Sequence, residues 1–203
     1  MCVWVPGVGS NLCETHSECI SRLEDHFWNF FGFPSNASSG TSAQSKSIGT
    51  ESPIEVVVFQ DLKCGMCKYW HQEIYPIIQR ELISTGRIKL TFKEYPLIPR
   101  RTEMTLAIGA KCAAQQGQYH PYLSVVYKNM KEINEENLIS LMKGLDINTD
   151  DFHRCLVDPQ SRELVQKDIL AGRELEVPGT PAFLMNGEIH PGANALLPLL
   201  ERK

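Results

Sequence analysis

Nowhere in the 203 residues is there an apolar run near eighteen residues, so no membrane-spanning helix is expected. No positively charged start is followed by an apolar core, which excludes a signal peptide within the sequence and leaves open a leader already removed. Basic residues form no stripe with interleaved aromatics. With a formal charge of -4 and an isoelectric point near 5.9, nucleic acid is not an expected partner. A second close cysteine pair is missing too. Of the seven cysteines, only Cys64 and Cys67 stand at the spacing of a zinc half-site, so a structural zinc site would lack its other half. His26, His71, His120, His153 and His190 share no ligand spacing and read as surface or packing residues, and His16 with Cys13 and Cys19 gives three donors without a fourth. No metal and no cofactor is expected.

What is present centres on Cys64-Gly65-Met66-Cys67. Residues 54–59, Ile-Glu-Val-Val-Val-Phe, read as an inner strand, and residues 60–63 as a brief turn. From Cys64 onward, Cys67, Trp70, Ile74, Ile77 and Ile78 recur at spacings of three and four, which predicts an amphipathic helix beginning at the first cysteine. At a helix N-terminus the unpaired N–H groups and the dipole favour a thiolate, and Lys63 adds a positive charge that solvent partly screens. The pKa of Cys64 is therefore expected below the roughly 8.5 of a free thiol and above the roughly 3.5 of the strongest oxidants. Cys67 lies one turn further in on the same side, more buried and near enough for a small disulfide. The pair reads as a redox couple in which Cys64 meets the partner and Cys67 resolves. Such spacing also supplies half of many zinc sites, but the strand-to-helix context favours redox chemistry.

The chain is long enough to bury a core without disulfides, and its cysteine content points to an oxidising compartment, the periplasm or another extracytoplasmic space. Residues 1–52 read as an N-terminal extension and linker. Cys2, directly after Met1, is open between a lipidation cysteine that would tether the protein to a membrane and an artefact of the terminus. Cys13-x5-Cys19 followed by Phe30-Phe31-Gly32-Phe33-Pro34 resembles the extracytoplasmic loop of the vitamin K epoxide reductase family, which implies an electron relay. The preferred reading is a docking or disordered segment with a local Cys13–Cys19 disulfide. Residues 35–52 are almost all small and polar, a flexible linker.

The folded domain is expected over 53–203. Pro76 should kink the first helix and Gly86 should end it. A second strand over 87–95 completes a right-handed βαβ unit. Glu94 shares the inward phase of Ile88, Leu90 and Phe92; a solvated strand-end acid is the preferred reading, and a proton carrier for the thiols the alternative. A helical insertion follows over about 99–176, with helices over 102–116, 119–130 and 135–142, a short one capped by Thr149 that runs through Cys155, and one from Pro159 to near Gly172. Cys112 and Cys155 read as a structural disulfide, with two separate buried hydrophobes as the alternative. Two short strands around Asn186-Gly187 make a hairpin, and a helix over about 194–201 closes the chain.

That order, with the segments VVVFQDLKCGMCKYW, AKCAAQQGQYHPY and VPGTPAFLMNGEIHPGA, resembles the DsbA-like disulfide oxidoreductases over residues 53–203. The resemblance implies an α/β thioredoxin fold with a helical insertion between the βαβ and ββα units. It further implies Cys64 as nucleophile, Cys67 as its partner, Gly65 and Met66 as the active-site dipeptide, and Pro181 as a cis-proline facing them, with Thr180 binding an extended substrate strand. The implied partners are cysteine-containing protein substrates and a redox protein that recycles the pair, a membrane protein being one candidate. Two features depart from the family. Val58 stands where thioredoxin-like proteins often bury an acid, six residues before the first cysteine, and no histidine lies between the cysteines. The first reading is a dithiol oxidase for exported proteins. A reductase or isomerase using the same cysteines is the second, and a non-catalytic thioredoxin-like peptide-binding module the third.

Overall fold

The β-branched run Ile54–Gln60 forms the first strand, β1, and its last five residues are buried. In this computed structural model, which describes residues 53–201, β1 pairs in parallel with β2 (Ile88–Glu94), with Ile54 opposite Ile88 and Gln60 opposite Glu94. On its other side β1 pairs antiparallel with β3 (Ala182–Met185), which pairs antiparallel with β4 (Glu188–Pro191). The sheet order is therefore β2-β1-β3-β4. Asn186 and Gly187, both at positive φ (51° and 81°), make the turn that joins β3 to β4 with the twist such a hairpin favours.

Between β1 and β2 runs one interrupted helix, α1. Its α-helical segments Gly65–Tyr69 and Tyr75–Ile78 alternate with π-helical segments Trp70–Ile74 and Gln79–Ile83. Pro76 has no N–H to give, and the turn before it widens so that the Tyr75 N–H reaches back to the Trp70 carbonyl. The interruption is thus a π segment ahead of the proline. Gly86, at φ 72°, follows the end of the helix. The inner face of α1 lays Trp70, Ile74, Ile78 and Leu82 on Val56 and Val58 of β1 and Phe183 and Met185 of β3. Trp70 is fully buried with its ring 5.4 Å from that of Phe183. Burying each such side chain contributes about 1.5–3 kcal/mol, so this layer fixes where α1 starts relative to the sheet.

The helical insertion comprises α2 (Arg101–Gln115), α3 (Tyr119–Lys128), α4 (Leu138–Met142), α5 (Thr149–Val157) and α6 (Pro159–Glu174). α2 and α6 meet β2 through charge: the Lys93 ammonium is 3.0 Å and that of Lys111 2.6 Å from the Asp168 carboxylate. Gly172 of α6 lies under Tyr95, whose ring a Cβ at that position would meet at 2.6 Å. Cys112 of α2 and Cys155 of α5 are joined in a disulfide, their Cα atoms 5.8 Å apart.

Three local expectations are corrected. Asn148, not Thr149, caps α5, because its side chain accepts from the Asp150 and Asp151 N–H groups. The helix expected over 135–142 is only Leu138–Met142, since Asn134 and Asn137 tie the preceding residues into a side-chain-bonded turn. The closing helix is a single 3-10 turn, Leu197–Leu200, with Pro198 in its first turn. The expectations for residues 1–52, including Cys2, the Cys13–Cys19 disulfide and the linker, lie outside the described residues.

Candidate active site

The end of β1 hands the chain to a turn that one carboxylate organises. Asp61 accepts the Lys63 N–H at 2.8 Å through one oxygen and the Leu97 N–H at 3.1 Å through the other, while its carbonyl accepts the Cys64 N–H at 3.1 Å. Cys64 then becomes the N-cap of α1, in extended backbone conformation, and its sulfur accepts the Cys67 N–H at 3.4 Å. Ser, Thr, Asp and Asn usually do this through oxygen. Here the capping atom is a cysteine sulfur.

Thr180 and Pro181 reach Cys64 from across the sheet. Because β1 and β3 are antiparallel with Phe59 opposite Ala182, the residues just before β3 stand beside the turn just after β1. The Thr180–Pro181 peptide is cis, and the Pro181 carbonyl accepts the Gly192 N–H at 2.8 Å. The Cys64 thiol donates to the Thr180 carbonyl at 3.2 Å. Gly65 and Met66 face solvent, Met66 with about half its surface exposed.

The two sulfurs are driven in opposite directions. The Cys64 pKa is lowered to about 5, first by the hydrogen bond from the Cys67 thiol, against which burial acts, and then by the Thr180 hydroxyl and the Cys67 and Met66 N–H groups. That hydroxyl is buried with no hydrogen-bond partner among the described residues. Cys67, fully buried, is pushed up by desolvation and by Cys64, against the Asp61 N–H at 3.5 Å. Lys63 does not play the part expected of it. Its ammonium is held by the carbonyls of Met130 (2.7 Å) and Ile133 (2.9 Å), and the thiolate is held by hydrogen bonds. The arrangement can attack a disulfide through Cys64 and close on itself through Cys67.

Glu94 also departs from its preferred reading. It is completely buried rather than a solvated strand end, because α2, α3 and α6 cover the end of β2. Tyr119 donates to it at 2.6 Å and the Gln60 amide at 3.3 Å, and burial raises its pKa to about 7. Asp61, Tyr119 and Tyr127 were not singled out from sequence. Asp61 could have been, as a carboxylate at the turn preceding the cysteines; the tyrosines could not, because only the fold brings α3 over the strand ends. Among the described residues, no group of three or more His, Cys, Asp or Glu is arranged to hold a metal.

The chain matches known proteins over most of its length. A family model described as Thioredoxin matches residues 42–197. A probable disulfide bond formation protein D of Bacillus anthracis is 27% identical over 168 residues, 78% of this chain and 77% of the relative. A putative protein-disulfide oxidoreductase of Rickettsia typhi is 23% identical over 143 residues, 68% of this chain and 52% of the relative. Among solved structures, the thiol-disulfide exchange protein α-DsbA2 of Wolbachia pipientis superposes with a TM-score of 0.65 at 20% identity, over 93% of this chain and 98% of that one. BdbD of Bacillus subtilis superposes at 0.61 and 19% identity, over 76% and 89%. The chain belongs to the thioredoxin family, shares the fold of DsbA proteins and is an oxidoreductase.

Proposed function

We propose that the protein is a dithiol oxidase that passes a Cys64–Cys67 disulfide to cysteine-containing proteins outside the cytoplasm. The observation that carries this reading is Cys64 as the N-cap of α1, its sulfur accepting the Cys67 N–H at 3.4 Å, an arrangement that favours the thiolate and lowers its pKa to about 5. A thiolate that is stable in the reduced enzyme makes the disulfide eager to be reduced, and its low basicity makes it a good leaving group. A substrate thiolate attacks the Cys64 sulfur, the bond to Cys67 breaks with the electron pair going to Cys67, and a mixed disulfide forms. The second substrate thiol then attacks its own sulfur in that bond, and Cys64 leaves. A second redox protein reoxidises the pair.

The surface beside Cys64 suits unfolded clients. Met66 and Tyr69 at the start of α1, with Leu97 and Ile98 on the loop that Asp61 ties down, are exposed large apolar side chains. The backbone at Thr180 offers an edge to an extended substrate strand. Disulfides form and persist in oxidising compartments, so relatives named for disulfide bond formation support an extracytoplasmic location.

Trapping tests the roles. Cys67→Ala should accumulate mixed disulfides with client proteins through Cys64, and Cys64→Ser should trap none; equal trapping by both would reverse the assignment. The reduction potential decides direction. A value at or above the roughly −180 mV of protein disulfide isomerase supports the oxidase, and one near the roughly −270 mV of thioredoxin supports a reductase with the same cysteines.

A further inference from the structure

Two segments close around the turn that carries Cys64. One is the Thr180–Pro181 loop, whose carbonyl meets the sulfur. The other is the chain leaving α3, because the Lys63 ammonium is held by the carbonyls of Met130 and Ile133. Lys63 immediately precedes Cys64, so this loop is fastened beside the nucleophile. Between the loop and the first turn of α1 opens a cleft of about 290 Å³, lined by Lys68 on one side and by Lys128, Asn129, Met130, Lys131 and Glu132 on the other.

The cleft is opposite in sign to the protein around it. Three ammonium groups line it against one carboxylate, in a chain whose formal charge is -4. Among the described residues, Lys68, Lys128 and Lys131 form no salt bridge, whereas Lys89, Lys93, Lys111 and Lys167 each do. The backbone acceptors that would repel an anion there are already engaged. The Asn129 carbonyl takes the Glu132 and Ile133 N–H groups, both at 2.9 Å, and the Glu132 carbonyl takes the Asn137 side-chain amide at 2.9 Å. The Met130 carbonyl is one of the two that hold Lys63. A cleft lined by one sign of charge raises the local concentration of partners of the other sign and speeds their encounter.

We propose that this cleft selects client segments that carry Asp or Glu close to the cysteine that attacks Cys64. The inference deepens the exchange reading and rests on it for Cys64 as the point of attack. Its spacing follows from α1. Lys68 comes four residues after Cys64, and its N–H donates to the Cys64 carbonyl at 3.1 Å. Four residues of helix rise about 6 Å, which an extended client crosses in about two residues. The flexible four-carbon stem of lysine extends that reach by about two more. Acidic residues two to four positions from the client cysteine would therefore meet the ammonium groups while the sulfurs react. The lysines touch neither sulfur. They set which client is captured and leave the bonds made and broken in the exchange as they are.

Matched peptides test this. Each carries two cysteines, with Glu, Gln or Lys two and four positions from both, and is mixed with the oxidised full chain. Peptide disulfide formation is followed by acid quench and mass spectrometry. Each rate is divided by that of the same peptide with 2-hydroxyethyl disulfide, an uncharged oxidant, which removes the effect of the flanking charges on the peptide thiols themselves. At low ionic strength the Glu peptide should react about three- to tenfold faster than the Lys peptide. Near 1 M salt, where the Debye length falls to about 3 Å, the two rates should converge. Replacing Lys128→Glu and Lys131→Glu together should reverse the order of the peptides. Both side chains are exposed. The ratio between peptides is the readout, since any change in Cys64 itself would move all the rates together. Equal corrected rates in the wild type, a ratio indifferent to salt, or a ratio unchanged in the double variant would each overturn the proposal. Oxidation of none of the peptides would count against Cys64 and Cys67 as a disulfide donor, and selection by the cleft would fall with it.

Discussion

At the scale of single residues, hydrogen bonds rather than a neighbouring cation set the character of Cys64, and this has a pH signature. Its thiol is lowered from 9.0 to about 5 in the folded protein, so between those values the reduced folded state binds fewer protons than the unfolded chain. Stability of the reduced protein therefore rises with pH over that window, is fully gained above 9, and is lost as pH falls through 5. The slope stays well below the limiting ~1.4 kcal/mol per pH unit, since Cys64 is half-exposed and solvent screens it. His71, driven down to about 4 mainly by burial, contributes stability that is lost as pH falls from 6.5 toward 4. Urea unfolding of the reduced protein and of Cys64→Ala across pH 5–9 isolates the first term, because the histidine is common to both. The wild type should gain on the variant as pH rises, and a constant difference would mean the thiolate is not stabilised by the fold. The cysteine pair was legible in sequence from its spacing at a strand-to-helix junction, and the proline loop from the resemblance that VPGTPAFLMNGEIHPGA carries. The burial of Glu94 and the diversion of Lys63 were not, since both depend on which helix covers a strand end or offers its carbonyls.

Among the elements, the insertion owes its shape to a few local devices and one covalent tie. Periodicity placed the helices within a few residues, but it could not distinguish Asn148 from Thr149 as cap, nor foresee that α1 would spend half its length in π turns. Both outcomes turn on individual hydrogen bonds that a pattern of apolar residues does not encode. The Cys112–Cys155 disulfide joins α2 to α5 across 43 residues, and closing a loop of that size in the unfolded chain contributes about 2–4 kcal/mol. Replacing both cysteines by alanine should lower stability by that amount in chemical denaturation. Exchange through Cys64 and Cys67 should stay within about twofold, because neither tied helix supplies a hydrogen bond to either sulfur. Loss of exchange with stability intact would show that the disulfide is itself a redox participant.

For the molecule as a whole, the contacts given for the site among the described residues come from residues 59–192, and because residues 35–52 read as a linker ahead of the folded domain, residues 1–50 should be dispensable for exchange. A chain starting at residue 51 should reduce insulin as the full chain does; loss of activity on substituting only Cys13 and Cys19 would revive the electron relay for the N-terminal extension. The fold class was readable from the alternation of strand and helix signals, but the antiparallel register of β3 on β1 was not, because it is a long-range pairing. That register has a consequence in time. Cys64 and Thr180 are 116 positions apart, and synthesis proceeds from the N-terminus. For much of its time on the ribosome, the nascent chain presents both cysteines without the loop that stands beside them in the fold. The protein is therefore itself a client for disulfide chemistry before it becomes an agent of it, with Cys64, Cys67 and Cys112 all emerged and open to mispairing while Cys155 is still being made.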